Sequence, residues 1–152
     1  MFYIGIKRWG EQAMNGQWIW LKGDQFLENE RACFTRAFAL SDVPDQAFLR
    51  ISADTRYVAY LNGEEIARGP ARGVRSHWFY DEVDIASHLR RGGNLLAVSV
   101  WNYGWSTYQT IASEGGLCFE LLADGETLCQ SDESVRCHRD EGHQSFRPKR
   151  NV

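Results

Sequence analysis

Phe48-Leu-Arg-Ile-Ser-Ala53, then Tyr57-Val-Ala-Tyr-Leu61, then Asn62-Gly63 and Glu64-Glu-Ile-Ala67, is the stretch that decides the fold. Leu49, Ile51 and Ala53 fall on one side of an extended chain, Arg50 and Ser52 on the other, which is the period of a half-buried strand. Asn62-Gly63 supplies two residues that tolerate positive φ, the requirement of a tight type I′ hairpin turn. Downstream, His77-Trp-Phe-Tyr80 is expected to open another strand, and Asn94-Leu-Leu-Ala-Val-Ser-Val-Trp101 is the clearest strand in the chain. Between them Val83-Asp-Ile-Ala-Ser-His-Leu89 is the only helix-like piece, a single turn stopped by Gly92-Gly93.

The flanks repeat the pattern. Gln17-Trp-Ile-Trp-Leu21 is a short apolar run, and Cys33-Phe-Thr-Arg-Ala-Phe-Ala-Leu40 alternates with Phe34, Arg36, Phe38 and Leu40 on one face. A charge on such a face belongs at a rim or beside a carboxylate, and Glu120 is the candidate partner for Arg36. Leu117-Cys-Phe-Glu-Leu-Leu122, the Asp124-Gly125 turn and Glu126-Thr-Leu-Cys129 make a second hairpin, and Val135-Arg-Cys-His138 a last strand. The count is about eight to ten strands with regular turn signals and no βαβ alternation. The expected class is all-β, an antiparallel β-sandwich or jelly roll, with its chemistry on loops. Residues 1–16 read as an N-terminal arm, a loop or loosely docked, 17–139 as the sandwich domain, and 140–152 as a polar tail or linker.

Composition narrows the function classes. A chain of 152 residues is near the commonest domain size and can bury a core without disulfides. Its net charge is −3 and its basic residues are scattered, so nucleic acid is not an expected partner. No apolar run approaches membrane-spanning length, and no membrane partner is expected. Lys7, Arg8 and Glu11 interrupt the N-terminus before an export-type run develops. Cys33, Cys118, Cys129 and Cys137 form no Cys-x-x-Cys pair, so free thiols in a cytoplasmic protein are expected.

Six Trp, six Tyr and eight Phe are more rings than strands alone require, and they crowd at one place. Trp101, Tyr103, Trp105 and Tyr108 alternate with Asn102, Gly104, Ser106, Thr107 and Gln109. Rings stack on the C–H faces of a sugar while neighbouring amides and hydroxyls bond its hydroxyl groups. The same residues would also finish a strand or cover a neighbouring domain. Trp105 and Tyr108 lie past the strongest strand and are the residues expected to touch ligand, with Tyr103 and Gln109 beside them; Trp101 still falls in the strand register and is expected to pack. The loop from Arg68 to His77 adds donors, with Arg72, Arg75 and His77 as candidate contacts. Asp81, Glu82 and Asp84 leave a structural calcium open, but a solvated strand end is the favoured reading and no cofactor is expected. Cys129, Cys137, His138 and His143 match no standard zinc spacing.

The order Trp18-Ile-Trp20, Phe34-x-Arg36-x-Phe38, Ala53-Asp-Thr-Arg-Tyr-Val-Ala-Tyr-Leu-Asn-Gly63, Arg68-Gly-Pro70, Trp78-Phe-Tyr-Asp81 and Gly93-Asn-Leu-Leu-Ala-Val98 resembles the N-terminal, galactose-binding-like β-sandwich of bacterial α-L-rhamnosidases, glycoside hydrolase family 78. The resemblance covers about residues 17–125 and implies a non-catalytic carbohydrate-recognition or accessory module. Its implied partners are a rhamnosylated glycan and a downstream catalytic helical-barrel domain. In that family the catalytic carboxylates sit on the helical barrel, which this strand-rich chain lacks the helical periodicity to build, so no catalytic residue carries over. A stand-alone lectin-like protein and a structural spacer that docks a catalytic domain are the alternatives.

Overall fold

The computed structural model describes residues 2–5 (backbone), 14–23, 28–70, 79–106 and 114–143. Among these residues there are eleven strands and one short 3-10 turn, Ala86–His88. The strands are β1 (Phe2–Gly5), β2 (Trp18–Leu21), β3 (Glu30–Leu40), β4 (Ala47–Ala53), β5 (Arg56–Leu61), β6 (Glu64–Gly69), β7 (Asp81–Asp84), β8 (Gly92–Asn102), β9 (Leu117–Ala123), β10 (Glu126–Gln130) and β11 (Arg136–Arg139). Every pairing is antiparallel. One sheet runs β1-β2-β9-β4-β7, with β10 on the free part of the β9 edge; the other runs β11-β3-β8-β5-β6.

Two left-handed turns fix the hairpins. Asn62 and Gly63 have φ of 54° and 90°, and Asp124 and Gly125 have 49° and 86°. These are the positive values that let a two-residue turn follow the twist of its strands. Asn62 also ties its hairpin to the rest of the sheet. Its Nδ2 donates to the His88 carbonyl and to Asn94 Oδ1, both at 2.9 Å, and its Oδ1 accepts from the Leu95 amide at 3.0 Å.

The core lies between the sheets. Leu49, Ile51, Phe119 and Leu121 enter it from one side, and Phe34, Leu61, Leu96 and Val100 from the other, all fully buried. Trp20 packs on Phe34 with ring centroids 5.7 Å apart. Each such side chain contributes about 1.5–3 kcal/mol through removal from water. The antiparallel β-sandwich expected from the alternating runs is the architecture observed.

Local differences have local causes. Residues 2–5 form β1 against β2, where the mixed sequence reads as a loop. Strand β7 begins at Asp81; Phe79 and Tyr80 precede it, and the Ser52 hydroxyl takes the Phe79 carbonyl at 2.7 Å. His77 and Trp78 lie outside the described residues. Val83 and Asp84 finish β7, which leaves only Ala86–His88 for the short turn. Arg36 pairs with Asp132 at 3.5 Å, not with Glu120. Glu120 alternates with the core residues Phe119 and Leu121, so it faces the opposite side of its sheet. There its Oε1 accepts from Asn15 Nδ2 and Thr127 Oγ1, both at 2.7 Å.

Candidate functional site

The long register between β3 and β8 builds one end of the sandwich. It runs from Leu40 opposite Gly92 to Arg31 opposite Trp101 and Glu30 opposite Asn102. Strand β5 completes the row by setting Arg56 opposite Trp101 on its other side. Alternation turns Val100 and Asn102 inward and Trp101 outward. Trp101 therefore lies within its strand as expected, but on the outer face of the sheet and half-buried.

Three rings follow one another there. Trp101 and Tyr103 meet edge to face with centroids 4.6 Å apart, and Tyr103 stacks on Trp105 at 6.3 Å with planes 24° apart. All three are half-buried, and Ser106 beside them is exposed. Trp101 Nε1 donates to Asn29 Oδ1 at 2.6 Å, and the Asn29 amide donates to the Tyr103 carbonyl at 2.9 Å. The Arg31 guanidinium lies over the Trp101 ring, its carbon 4.3 Å from the centroid.

Polar groups hold this end from beneath. Asn29, Thr55 and Gly104 have φ of 58°, 74° and 70°, so three segments bend sharply where they meet. Thr55 Oγ1 accepts from the Tyr103 amide and donates to Asn102 Oδ1, both at 3.4 Å; the Gly104 amide reaches the same Oδ1 at 3.3 Å. Asn102 Nδ2 is buried and has no hydrogen-bond partner among the described residues. Glu30, 5% exposed, accepts from Trp20 Nε1 at 3.3 Å and pairs with Arg139 at 2.7 Å. This ion pair pins the end of β11 to the start of β3.

Of the residues expected to touch ligand, Tyr103 and Trp105 are brought together at this end. Tyr108, Gln109, Arg72, Arg75 and His77 lie outside the described residues. Asn102, one of the amides noted beside the rings, belongs to the same end, as do Arg31, Asn29, Thr55 and Arg56, which were not singled out in the sequence. Their only signal is the strand register, which joins positions far apart in the chain.

The other candidate groups are engaged elsewhere. Asp81 accepts the Tyr57 hydroxyl at 2.5 Å, and burial together with this bond pushes that hydroxyl well above the ordinary tyrosine range. Glu82 pairs with Arg50 at 2.7 Å, and Asp84 accepts from the Ala86 amide at 3.1 Å. Cys129 is buried in the core and His143 contacts Asp140 at 2.9 Å. Among the described residues no group of three or more His, Cys, Asp or Glu is placed to hold a metal ion.

No protein-family model matches the chain. An α-L-rhamnosidase of Streptomyces avermitilis is 34% identical to it over 124 residues, which cover 77% of this chain and 11% of that protein. The crystal structure of the family-78 rhamnosidase of Bacillus sp. GL1 superposes with a TM-score of 0.80 at 40% identity, covering 84% of this chain and 14% of that one. The apo form of the Pleurotus ostreatus lectin shares the fold, with a TM-score of 0.60 at 21% identity over 81% of this chain and 34% of that one. The chain thus spans only a small part of the rhamnosidases it matches.

Proposed function

The chain is homologous to one small β-sandwich region of the family-78 α-L-rhamnosidases, and from that premise we propose that it serves as a non-catalytic module of a larger rhamnosidase-like glycoside hydrolase, contacting carbohydrate with the aromatic end of its sandwich. The observation that carries this is the succession Trp101, Tyr103 and Trp105, three rings in contact at one end of the sheet. A pyranose presents C–H groups on its faces, and a rhamnosyl unit adds a methyl group. Both suit a ring surface with hydrogen-bonding groups at its margin. Tyr103 buttresses Trp105, and the Asn29, Thr55 and Asn102 bonds fix the backbone that carries them.

Tyr108, Gln109, Arg72, Arg75 and His77 extend the proposed contact on sequence grounds. The module's partner would be a rhamnosylated glycan together with the catalytic domain of the parent enzyme. No cofactor enters the proposal. A cytoplasmic location belongs to it, supported by four cysteines joined by no disulfide among the described residues, of which Cys118 and Cys129 are buried. The rings are half-buried rather than fully presented, which favours, as a second use of the same end, contact with that catalytic domain.

Calorimetric titration of rhamnose and rhamnosylated oligosaccharides against the parent chain and Trp105→Ala separates the two. Ring stacking contributes about 0.5–1.5 kcal/mol beyond buried area, so the variant should bind at least severalfold more weakly. Equal binding by both, or none by the parent, would leave the rings as an interdomain surface.

A further inference from the structure

The geometry points to an acidic sugar, one carrying a carboxylate, as the ligand of the aromatic end. This deepens the carbohydrate reading above and rests on it. The observation is the row Arg31, Trp101, Arg56, three residues in register across β3, β8 and β5. Register partners share a face, so the indole stands between two guanidinium-bearing side chains. The neighbouring strand spacing sets the two arginine backbones about 10 Å apart. That span suits a single pyranose and its substituents.

These two arginines differ from four others in the sheets, though Arg136 on β11 shares their lack of a carboxylate partner among the described residues. Arg36, Arg50, Arg68 and Arg139 each pair with a carboxylate. Among the described residues neither Arg31 nor Arg56 has a carboxylate within ion-pair distance. Arg31 acts weakly on Asp140, whose carboxyl is held below the usual range chiefly by the Gly142 amide, with His143 and then Arg31 adding to it. Its hydrogen bonds go to Gly142 and His143, at 2.9 Å each. Arg31 keeps its face on the indole, which leaves its N–H edge for a planar anion. Arg56 is exposed. The whole chain is net −3, so any attraction for an anion at this row is local.

The ligand class follows from the chemistry. A neutral sugar would use the rings and leave two guanidinium groups in water. A uronate sets a carboxylate on the same ring whose C–H face stacks, so one residue of the glycan satisfies both features. Guanidinium and carboxylate bond through two parallel N–H donors, the strongest geometry open to this pair. Rhamnose linked to a uronic acid would satisfy the rings and the arginines together.

The test uses the full chain, with tryptophan fluorescence and calorimetry as readouts. The probes are a rhamnosyl-glucuronate disaccharide, its methyl ester and rhamnose. The acid should bind about tenfold more tightly than the ester in low salt, and the difference should shrink in high salt. Arg56→Gln, on an exposed side chain, and Arg31→Gln should each weaken binding of the acid more than that of the ester, erasing most of that preference. Thermal melts of both variants guard against loss of fold, and Arg31→Lys, which keeps charge without the planar fork, should recover the preference only in part. Equal binding of acid and ester, unaffected by either substitution, would overturn the acidic ligand and leave the carbohydrate site intact. No binding of any probe would overturn both, and would make the row a contact for carboxylates of a neighbouring domain.

Discussion

At Gly63 the backbone has a φ of +90°, and nothing lies within 4 Å of where a Cβ would stand. A side chain there meets no neighbour, and the penalty is conformational alone. Gly63→Val should therefore cost about 1–2 kcal/mol. The corresponding fall in melting temperature is about 3–8 °C, and an unchanged midpoint would contradict the assigned turn. Cys129 makes a second residue-scale case, this time in pH. Burial pushes its thiol from 9.0 up to about 11, with Arg36 offsetting part of the rise. In the unfolded chain the thiol ionises first, so the folded state is favoured fully below about pH 9 and loses this contribution as pH rises toward 11. Cys33, Cys137 and Tyr57 are shifted upward as well and act in the same sense. Urea unfolding between pH 8 and pH 11 should show falling stability, with a shallower fall in Cys129→Ala. A parent whose stability is flat across that window would refute the buried, unionised thiol.

Elements were legible in the sequence where their signal is local. Asn62-Gly63 and Asp124-Gly125 declare their turns because positive φ is a property of those residues themselves. Strand β8 shows through Leu96, Val98 and Val100, whose alternation matches their burial. Strand β1 did not show, since its residues carry no alternation and its existence depends on β2 as a template. Register was the larger loss. The Trp101–Asn29 bond joins positions 72 apart, and nothing near either residue announces it. The rings of the candidate site were visible as a cluster, while the arginines beside them were not, because they arrive on other strands. Ser131 is another junction of this kind, fully buried. Its hydroxyl donates to the Gln17 carbonyl at 2.6 Å and accepts from the Phe119 amide at 3.0 Å, so it fastens the segment before β2 to β9 and the end of β10. Ser131→Ala should cost about 1–3 kcal/mol by leaving those backbone groups unsatisfied. Hydrogen exchange should rise at Gln17 and Phe119 together; loss at one without the other would mean that the segments are held independently.

Across the whole molecule, chemistry is divided by position. The sheets bury an apolar core, and the turns at Asn62 and Asp124 tie hairpins. The end built from Asn29, Thr55 and residues 102–106 carries contacting rings and, among the described residues, two arginines without ion pairs and a buried amide nitrogen without a partner. Exposed Val43 and Leu95 stand near other turns, without such a setting. The homologous region is a small part of each rhamnosidase, which fits a module whose work is contact rather than bond cleavage. The most direct test of this account is amide shift mapping by NMR on the 152-residue chain during titration with a rhamnosylated oligosaccharide. The account predicts saturable shifts gathered at Asn29, Arg31, Thr55, Arg56 and Trp101–Ser106, with the Trp105 indole signal among the most affected. Shifts gathered around Val43 and Leu95 instead, or a spectrum that no sugar alters, would contradict it.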